Sequence, residues 1–176
     1  MEGGGGALMK IELSLVTPDG IEREEDVGPG ILDLDSRVNL AEPAGPIHCQ
    51  VRVWKQPGEL FVRGVVRAPI RFQCASCGAF FSTIVEDSGF MRDYLTQEGQ
   101  AYVDLTEDIR EAVLLALPAN PRCRPDCRGL CPVCGTDLNQ GSCGCPTEDD
   151  SGSWSALDAL DLGGPPGDPR GRSKKL

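Results

Sequence analysis

Between Ile47 and Trp54 apolar and polar residues alternate without a break: Ile47, Cys49, Val51 and Val53 fall on one side, His48, Gln50, Arg52 and Trp54 on the other. A period of two predicts a strand with one face in a core. The next run, Leu60 to Gln73, places Val62, Val66, Ala68, Ile70 and Phe72 together and sets Arg63, Arg67 and Arg71 on the opposite face; KQPGE between the two runs reads as a turn. Pro69 has no N–H for a ladder, which predicts a sheet edge or a bulge at that point. AFFSTIVED predicts a further strand, so CASCG before it occupies a hairpin turn. Upstream, KIELSLV alternates as a half-buried strand does and TPDG turns the chain, whereas the acidic IEREEDVGPG reads as a surface loop followed by a short ILDLD.

The period then changes. In DLTEDIREAVLLALP, Leu105, Ile109, Ala112, Val113 and Ala116 recur at helical spacing, Asp104 and Glu107 stand as a capping box, and Pro118 marks the stop, which predicts an amphipathic helix over 105–117. Beyond Cys145, PTEDDSGS reads as a solvated spacer and WSALDALDL as one or two helical turns with Trp154, Leu157 and Leu160 on one side. GGPPGDPRGRSKKL is too rich in proline and glycine to fold, and the glycine run at the start cannot pack. The expected organisation is a disordered start over 1–8, a β-rich domain over 9–121 that carries the helix, a cysteine-rich segment over 122–146 packed on it, and an acidic then Pro/Gly-rich tail over 147–176. The fold class is α+β: an antiparallel sheet or partly closed barrel, one main helix, and a C-terminal cysteine-rich knot.

With 176 residues and 40% apolar content the chain can bury a core of ordinary size. No stretch approaches the roughly 20 apolar residues that cross a bilayer, and MEGGGGALMK lacks the charged start and apolar run of a secretory signal. A soluble, cytoplasmic protein with no membrane partner is expected. In a reducing compartment clustered cysteines point to metal before disulfides, and nine cannot all pair.

Six of the nine cysteines lie between residues 123 and 145. Zinc takes four soft or borderline ligands in a tetrahedron, and Cys-x-x-Cys lets one tight turn present two thiolates about 3.5–4 Å apart. Cys74 with Cys77, Cys131 with Cys134, Cys143 with Cys145 and Cys123 with Cys127 make four pairs, enough for two zinc ions. Sequence does not fix which pairs share an ion, but Cys131, Cys134, Cys143 and Cys145 lie within fifteen residues and can close on themselves. That leaves Cys123 and Cys127 to meet Cys74 and Cys77, clamping the end of the helix to the hairpin. Four thiolates leave no open position for substrate, so the role is structural. A thioredoxin-type dithiol is disfavoured because strands flank CASC on both sides. Cys49, on the apolar side of its strand, reads as a small buried hydrophobe.

The net charge is −10 with an isoelectric point near 4.5, which argues against coating nucleic acid through bulk charge. Eight thiolates and two divalent ions add −8 and +4, taking −10 to −14. Between Val51 and Gln73 the balance reverses, with Arg52, Lys55, Arg63, Arg67 and Arg71 against the single acid Glu59. These five are the candidates for contact with RNA or a partner, and Trp54 lies among them; otherwise the face is simply solvated. Arg122, Arg124 and Arg128 read as counter-charges to the thiolate centres rather than as phosphate ligands. His48 is the only histidine, no Ser or Cys is set beside a base, and no glycine loop precedes a helix to cradle phosphate. Neither a catalytic residue nor a small-molecule substrate is expected.

FQCASCGAFF after a strand hairpin, followed by DLTEDIREAVLLALPANPRCRPDCRGLCPVCGTDLNQGSCGC, resembles the YceD-type large ribosomal RNA subunit accumulation proteins of bacteria and plastids. The resemblance runs from about Ile11 to Leu162, is strongest over residues 104–145, and is supported by LDLD at 32–35. In that family some members lack the second cysteine cluster yet keep ligands matching Cys74, Cys77, Cys123 and Cys127, in agreement with the division reached from loop closure. The resemblance implies a noncatalytic factor supporting 23S ribosomal RNA accumulation and ribosome biogenesis, with precursor ribosomal RNA or ribosome-assembly proteins as partners. The alternative is a zinc-ribbon protein-interaction module unrelated to ribosomes.

Overall fold

Strands pair in the register that puts apolar side chains of neighbours on one face, because a slip of one residue would turn them all to water. The computed structural model describes residues 8–34 and 41–146. The chain divides into two compact units after Ser142, and all elements below belong to the first; of the second, residues 143–146 are described, without helix or strand. In chain order they are β1 (Lys10–Glu12), β2 (Ile21–Val27), β3 (Ala41–Pro43), β4 (Ile47–Gln56), β5 (Glu59–Gln73), β6 (Phe80–Leu95), β7 (Tyr102–Asp104) and α1 (Thr106–Ala116). β4, β5 and β6 form an antiparallel meander, from His48↔Arg67 to Gln56↔Glu59 and from Glu59↔Leu95 to Gln73↔Phe80. β2 pairs with the other edge of β4, β3 continues along β5 beyond the start of β4, and β1 with β7 makes a separate two-stranded ribbon. The sheet is open: among the described residues no pairing joins β2 to β6.

The alternation expected of β4 and β5 is observed. Ile47, Cys49, Val51 and Val53 are buried beside Val62, Val66, Ala68, Ile70 and Phe72, while Arg63 and Arg71 are exposed on the far side. β6 is longer than AFFSTIVED suggests and changes its inward parity. Between the pairs Gly64↔Phe90 and Val66↔Asp87 it spends one residue more than β5 does, and Asp87 Oδ1 accepts the N–H of Gly89 (2.8 Å) to hold this bulge. Val85 faces inward before it and Phe90, fully buried, faces inward after it. A fixed period of two cannot see past such a point.

Four local readings are corrected. IEREEDV is not a loop but β2, an edge strand: Glu22, Glu24 and Asp26 point to water while Val27 is buried, and only two of its seven residues are aliphatic, which hides the alternation. Carboxylates along such an edge discourage further pairing. KIELSLV is a strand for three residues only and then a 3-10 turn over Leu13–Leu15, because β7 offers a partner of the same length. Pro69 sits within β5, at neither an edge nor the bulge: its carbonyl accepts the N–H of Ala44, so its missing donor faces the gap between β3 and β4. The helix starts without the capping box, since Asp104 Oδ1 accepts the N–H (2.9 Å) and hydroxyl (2.5 Å) of Thr106.

α1 lays Ile109, Ala112 and Val113 on β5, β6 and the 3-10 turn Pro29–Leu32, with Leu105 fully buried before its first turn. Each such aliphatic burial contributes about 1.5–3 kcal/mol. Polar bonds fix the docking angle: Arg92 on β6 donates to Asp108 (3.0 Å) and Glu111 (3.3 Å), and the Tyr94 hydroxyl donates to the other Asp108 oxygen (2.5 Å). Burial, then the bond to Asp108, drives the Tyr94 phenol well above its ordinary value, so it stays a donor. Leu117 closes the helix on Leu114, and Pro118 has no N–H to continue it. The readings of residues 1–7 and of the Trp154 segment lie outside the described residues.

The meander leaves no room for a side chain at Gly64, where a Cβ would lie 2.7 Å from Val51 Cα and closer still to the Gln50 carbonyl. Gly64→Ala is therefore expected to force β4 from β5 and cost more than about 3 kcal/mol, read as a fall in the urea midpoint. An alanine variant as stable as the parent would refute the approach.

Candidate metal centre

The first cysteine pair sits where β5 turns into β6. Cys74 N–H donates to Ala79 O (2.8 Å), Gly78 N–H returns to Cys74 O (2.9 Å), and Gly78 adopts φ +73°, a left-handed geometry that a side chain would strain. The same knuckle recurs at Cys131: its N–H donates to Thr136 O (2.8 Å), Gly135 N–H donates to Cys131 O (2.9 Å), and Gly135 has φ +74°. A glycine thus follows the second cysteine of each knuckle, where the backbone turns left-handed.

The segment after α1 is fastened to the first knuckle by backbone. Ala75 N–H donates to Pro121 O (2.8 Å), Leu130 N–H to Ser76 O (3.0 Å), and Arg122 Nε to Ser76 Oγ (3.1 Å). Gly129, at φ +74°, passes so close that a Cβ would stand 2.9 Å from Ser76 O. Cys123 and Cys127 thereby come to Cys74 and Cys77. The Sγ atoms are 3.8 Å apart for Cys74–Cys127 and for Cys77–Cys123, and all four lie within 4.8 Å of one another. Four sulfurs at about 2.3 Å from one zinc stand about 3.8 Å apart, far beyond a disulfide bond. The donors fit a tetrahedral thiophilic ion.

Electrostatics within the group point the same way. The N–H of Cys123 aims at Cys74 Sγ (3.4 Å) and is the main cause that brings the Cys74 thiol down to about 6. Burial, then Cys127 and the other thiols, push Cys123 up to about 12. Thiols this close cannot all ionise unless a cation shares them. Cys49, by contrast, is alone and fully buried on β4, pushed up to about 12 by burial, then by Glu25 and Asp26.

Sequence reasoning missed Asn139. Its Nδ2 donates to Cys127 Sγ (3.6 Å) and Asp137 Oδ1 (2.8 Å), and its Oδ1 accepts Arg128 N–H (2.9 Å) and Arg124 Nη2 (2.8 Å). Asp137 is held below the usual carboxylate range by the Asn139 N–H, then by the side chains of Gln140 and Asn139. DLNQ thus forms a polar buttress behind Cys127, and no period or spacing in the sequence announces it. Arg124 is spent on Asn139 and on Asp126 (3.5 Å), not on a thiol. Cys131 is buried and Cys134 exposed, while Cys143 and Cys145, in the second unit, are half-buried.

The basic residues of the sheet are differently placed. Arg67 donates to Glu86 (2.6 Å); Arg71 donates to Glu42 (3.4 Å) and lies over the Phe80 ring. Arg52 faces Arg63 across β4 and β5, and strand alternation puts Lys55 on the other side of β4 from Arg52. His48 bonds Asp26 at the solvent surface.

A sheet hairpin and a post-helix loop gripped by four thiols define the class: a cysteine-centred sheet-and-helix module. The family model for the large ribosomal RNA subunit accumulation protein YceD matches residues 89–161, a span that includes the residues on which the resemblance is strongest. An uncharacterized protein of Mycobacterium tuberculosis is 33% identical over 122 residues, covering 61% of this chain and 52% of the relative. One of Mycobacterium leprae is 30% identical over 135 residues, covering 69% and 62%. A maize protein named large ribosomal RNA subunit accumulation protein YCED homolog 1, chloroplastic, is 26% identical over 173 residues, covering 74% and 58%. The chain spans about half the length of the Mycobacterium tuberculosis relative, 52%. No solved structure matches it. No helix among the described residues is long and apolar enough to cross a membrane.

Thiol labelling checks the contrast between the cluster and the lone cysteine. In folded protein at about pH 8, below the Cys49 value of about 12, Cys49 is expected to be the last thiol alkylated, becoming accessible only on unfolding. Early labelling of Cys49, mapped by peptide mass spectrometry, would contradict its placement.

Proposed function

We propose that the chain is a noncatalytic, zinc-stabilised factor that supports accumulation of large-subunit ribosomal RNA, acting as a cytoplasmic adaptor for precursor RNA or for an assembly protein. The observation that carries this is the four-thiol centre built from Cys74, Cys77, Cys123 and Cys127, in a chain whose later half matches the YceD family. One zinc at this centre ties the hairpin to the end of α1, and the coordination shell is filled by protein, leaving no position at which a substrate could be activated. A second zinc is assigned to Cys131, Cys134, Cys143 and Cys145, supported by the knuckle at Cys131 and the short span of the four residues. Asn139 serves the first centre from outside the coordination shell, keeping Cys127 oriented and part of its charge offset.

Native mass spectrometry of the full chain is expected to show two zinc ions, and a strong chelator to lower the melting temperature by well over ten degrees. Asn139→Leu should weaken zinc retention about tenfold in competition with a chelating dye, with the other ion unaffected. In cells lacking the gene, the wild-type chain should restore the ratio of large- to small-subunit ribosomal RNA, and Cys74→Ser with Cys77→Ser should not. Restoration by the double serine variant would remove the centre from the function; a wild-type chain that leaves the ratio unchanged would remove the ribosomal role.

A further inference from the structure

The outward side of the sheet carries an assembly that the cysteine centre does not use. Register places Arg52 of β4 directly opposite Arg63 of β5, both exposed. Cross-strand neighbours stand about 5 Å apart at Cβ, and like charges there repel. Arg52 Nη2 donates to the Asp19 carbonyl (3.1 Å), which positions it without cancelling its charge. Among the described residues neither guanidinium has a carboxylate within ion-pair distance, although Glu22 follows Arg52 in the same row on β2. The remaining basic residues of β5 are engaged elsewhere, Arg67 with Glu86 and Arg71 with Glu42.

In the next row, Trp54 faces Phe61 and the rings stack, centroids 5.6 Å apart and planes 14° from parallel. Both rings are half-buried, so each keeps surface toward solvent. The cation pair and Trp54 border one shallow cleft of about 680 Å³, lined also by Gln50 and Pro18. Two cations beside an aromatic surface and an amide are chemistry for a phosphate beside a base. A guanidinium binds phosphate oxygens through paired N–H donors, and an anion between two of them turns their repulsion into attraction. Aromatic faces take unstacked bases of any kind. Asp19 and Glu22, which also line the cleft, disfavour a run of phosphates, so the site suits one or two nucleotides rather than a long groove.

We propose that this cleft binds a short stretch of single-stranded RNA, with a phosphodiester between Arg52 and Arg63 and a base against Trp54. This rests on the reading of the chain as a ribosomal RNA factor and narrows the RNA contact from five basic residues to two and an aromatic. Duplex RNA, whose base faces are hidden in the stack, does not satisfy the site.

The chain has two tryptophans, Trp54 and Trp154, so a full-length Trp154→Phe protein reports on Trp54 alone. Its emission is titrated with a mixed-sequence single-stranded RNA of about eight nucleotides and with the corresponding duplex, between about 50 and 200 mM salt. Quenching by the single strand, with a slope of log affinity on log salt of about −1.4, is expected; the duplex should bind at least tenfold more weakly. By anisotropy of labelled RNA, Trp54→Leu should lose about tenfold and Arg63→Gln should reduce the slope by about 0.7, whereas Arg67→Gln and Arg71→Gln change neither. Melting curves matching the parent show that each variant folds.

Binding that ignores Arg52, Arg63 and Trp54 overturns the cleft and leaves an RNA contact elsewhere. A parent chain that binds no RNA, while its Arg63 and Trp54 variants fall off pre-50S particles, overturns it in favour of a protein on the same face. Absence of RNA binding together with unaltered co-sedimentation of those variants overturns it while the ribosomal reading stands on its own complementation result.

Discussion

Four sulfurs brought within 4.8 Å of one another are the constraint on which the lower half of this molecule depends. Ionised thiolates at that distance repel, and protonated ones make only weak bonds, so proximity alone gives little reason for the loop after α1 to stay on the hairpin. A shared divalent cation converts the repulsion into the strongest tie in the region. Backbone bonds through Ala75, Ser76 and Leu130 set the approach before any ion is counted. They explain why the four sulfurs meet at one point of the loop.

Above that tie the sheet is an ordinary solution to burial. β4 and β5 present apolar faces, α1 packs on β5 and β6, and the Arg92–Asp108–Tyr94 group limits how the helix can turn on its support. The helix therefore transmits position: its first turn is held by Asp104, its flank by β6, and its end leads directly to Cys123.

Much of this was legible in the amino-acid order. The faces of β4 and β5, the helix and its buried stripe, and the meeting of Cys74 and Cys77 with Cys123 and Cys127 follow from period, spacing and loop closure. What escaped did so for identifiable reasons. β2 carries five charges in seven residues, so its edge role overrides its composition. The bulge at Ser88–Gly89 resets parity in mid-strand, and Pro69 is tolerated because a gap between two other strands lies opposite it, a fact no local window contains. Asn139 is polar, central to the loop and silent in any pattern, because its role is defined by a sulfur twelve residues away.

The first centre joins positions separated by 46 residues between Cys77 and Cys123. A chain leaving the ribosome presents the hairpin thiols long before their counterparts exist, so the meander and the helix must form, or at least begin to, with one half of the clasp open. Closing a loop of this size costs only slightly more entropy than closing a much shorter one. The four thiols can therefore come together only after translation has passed residue 127.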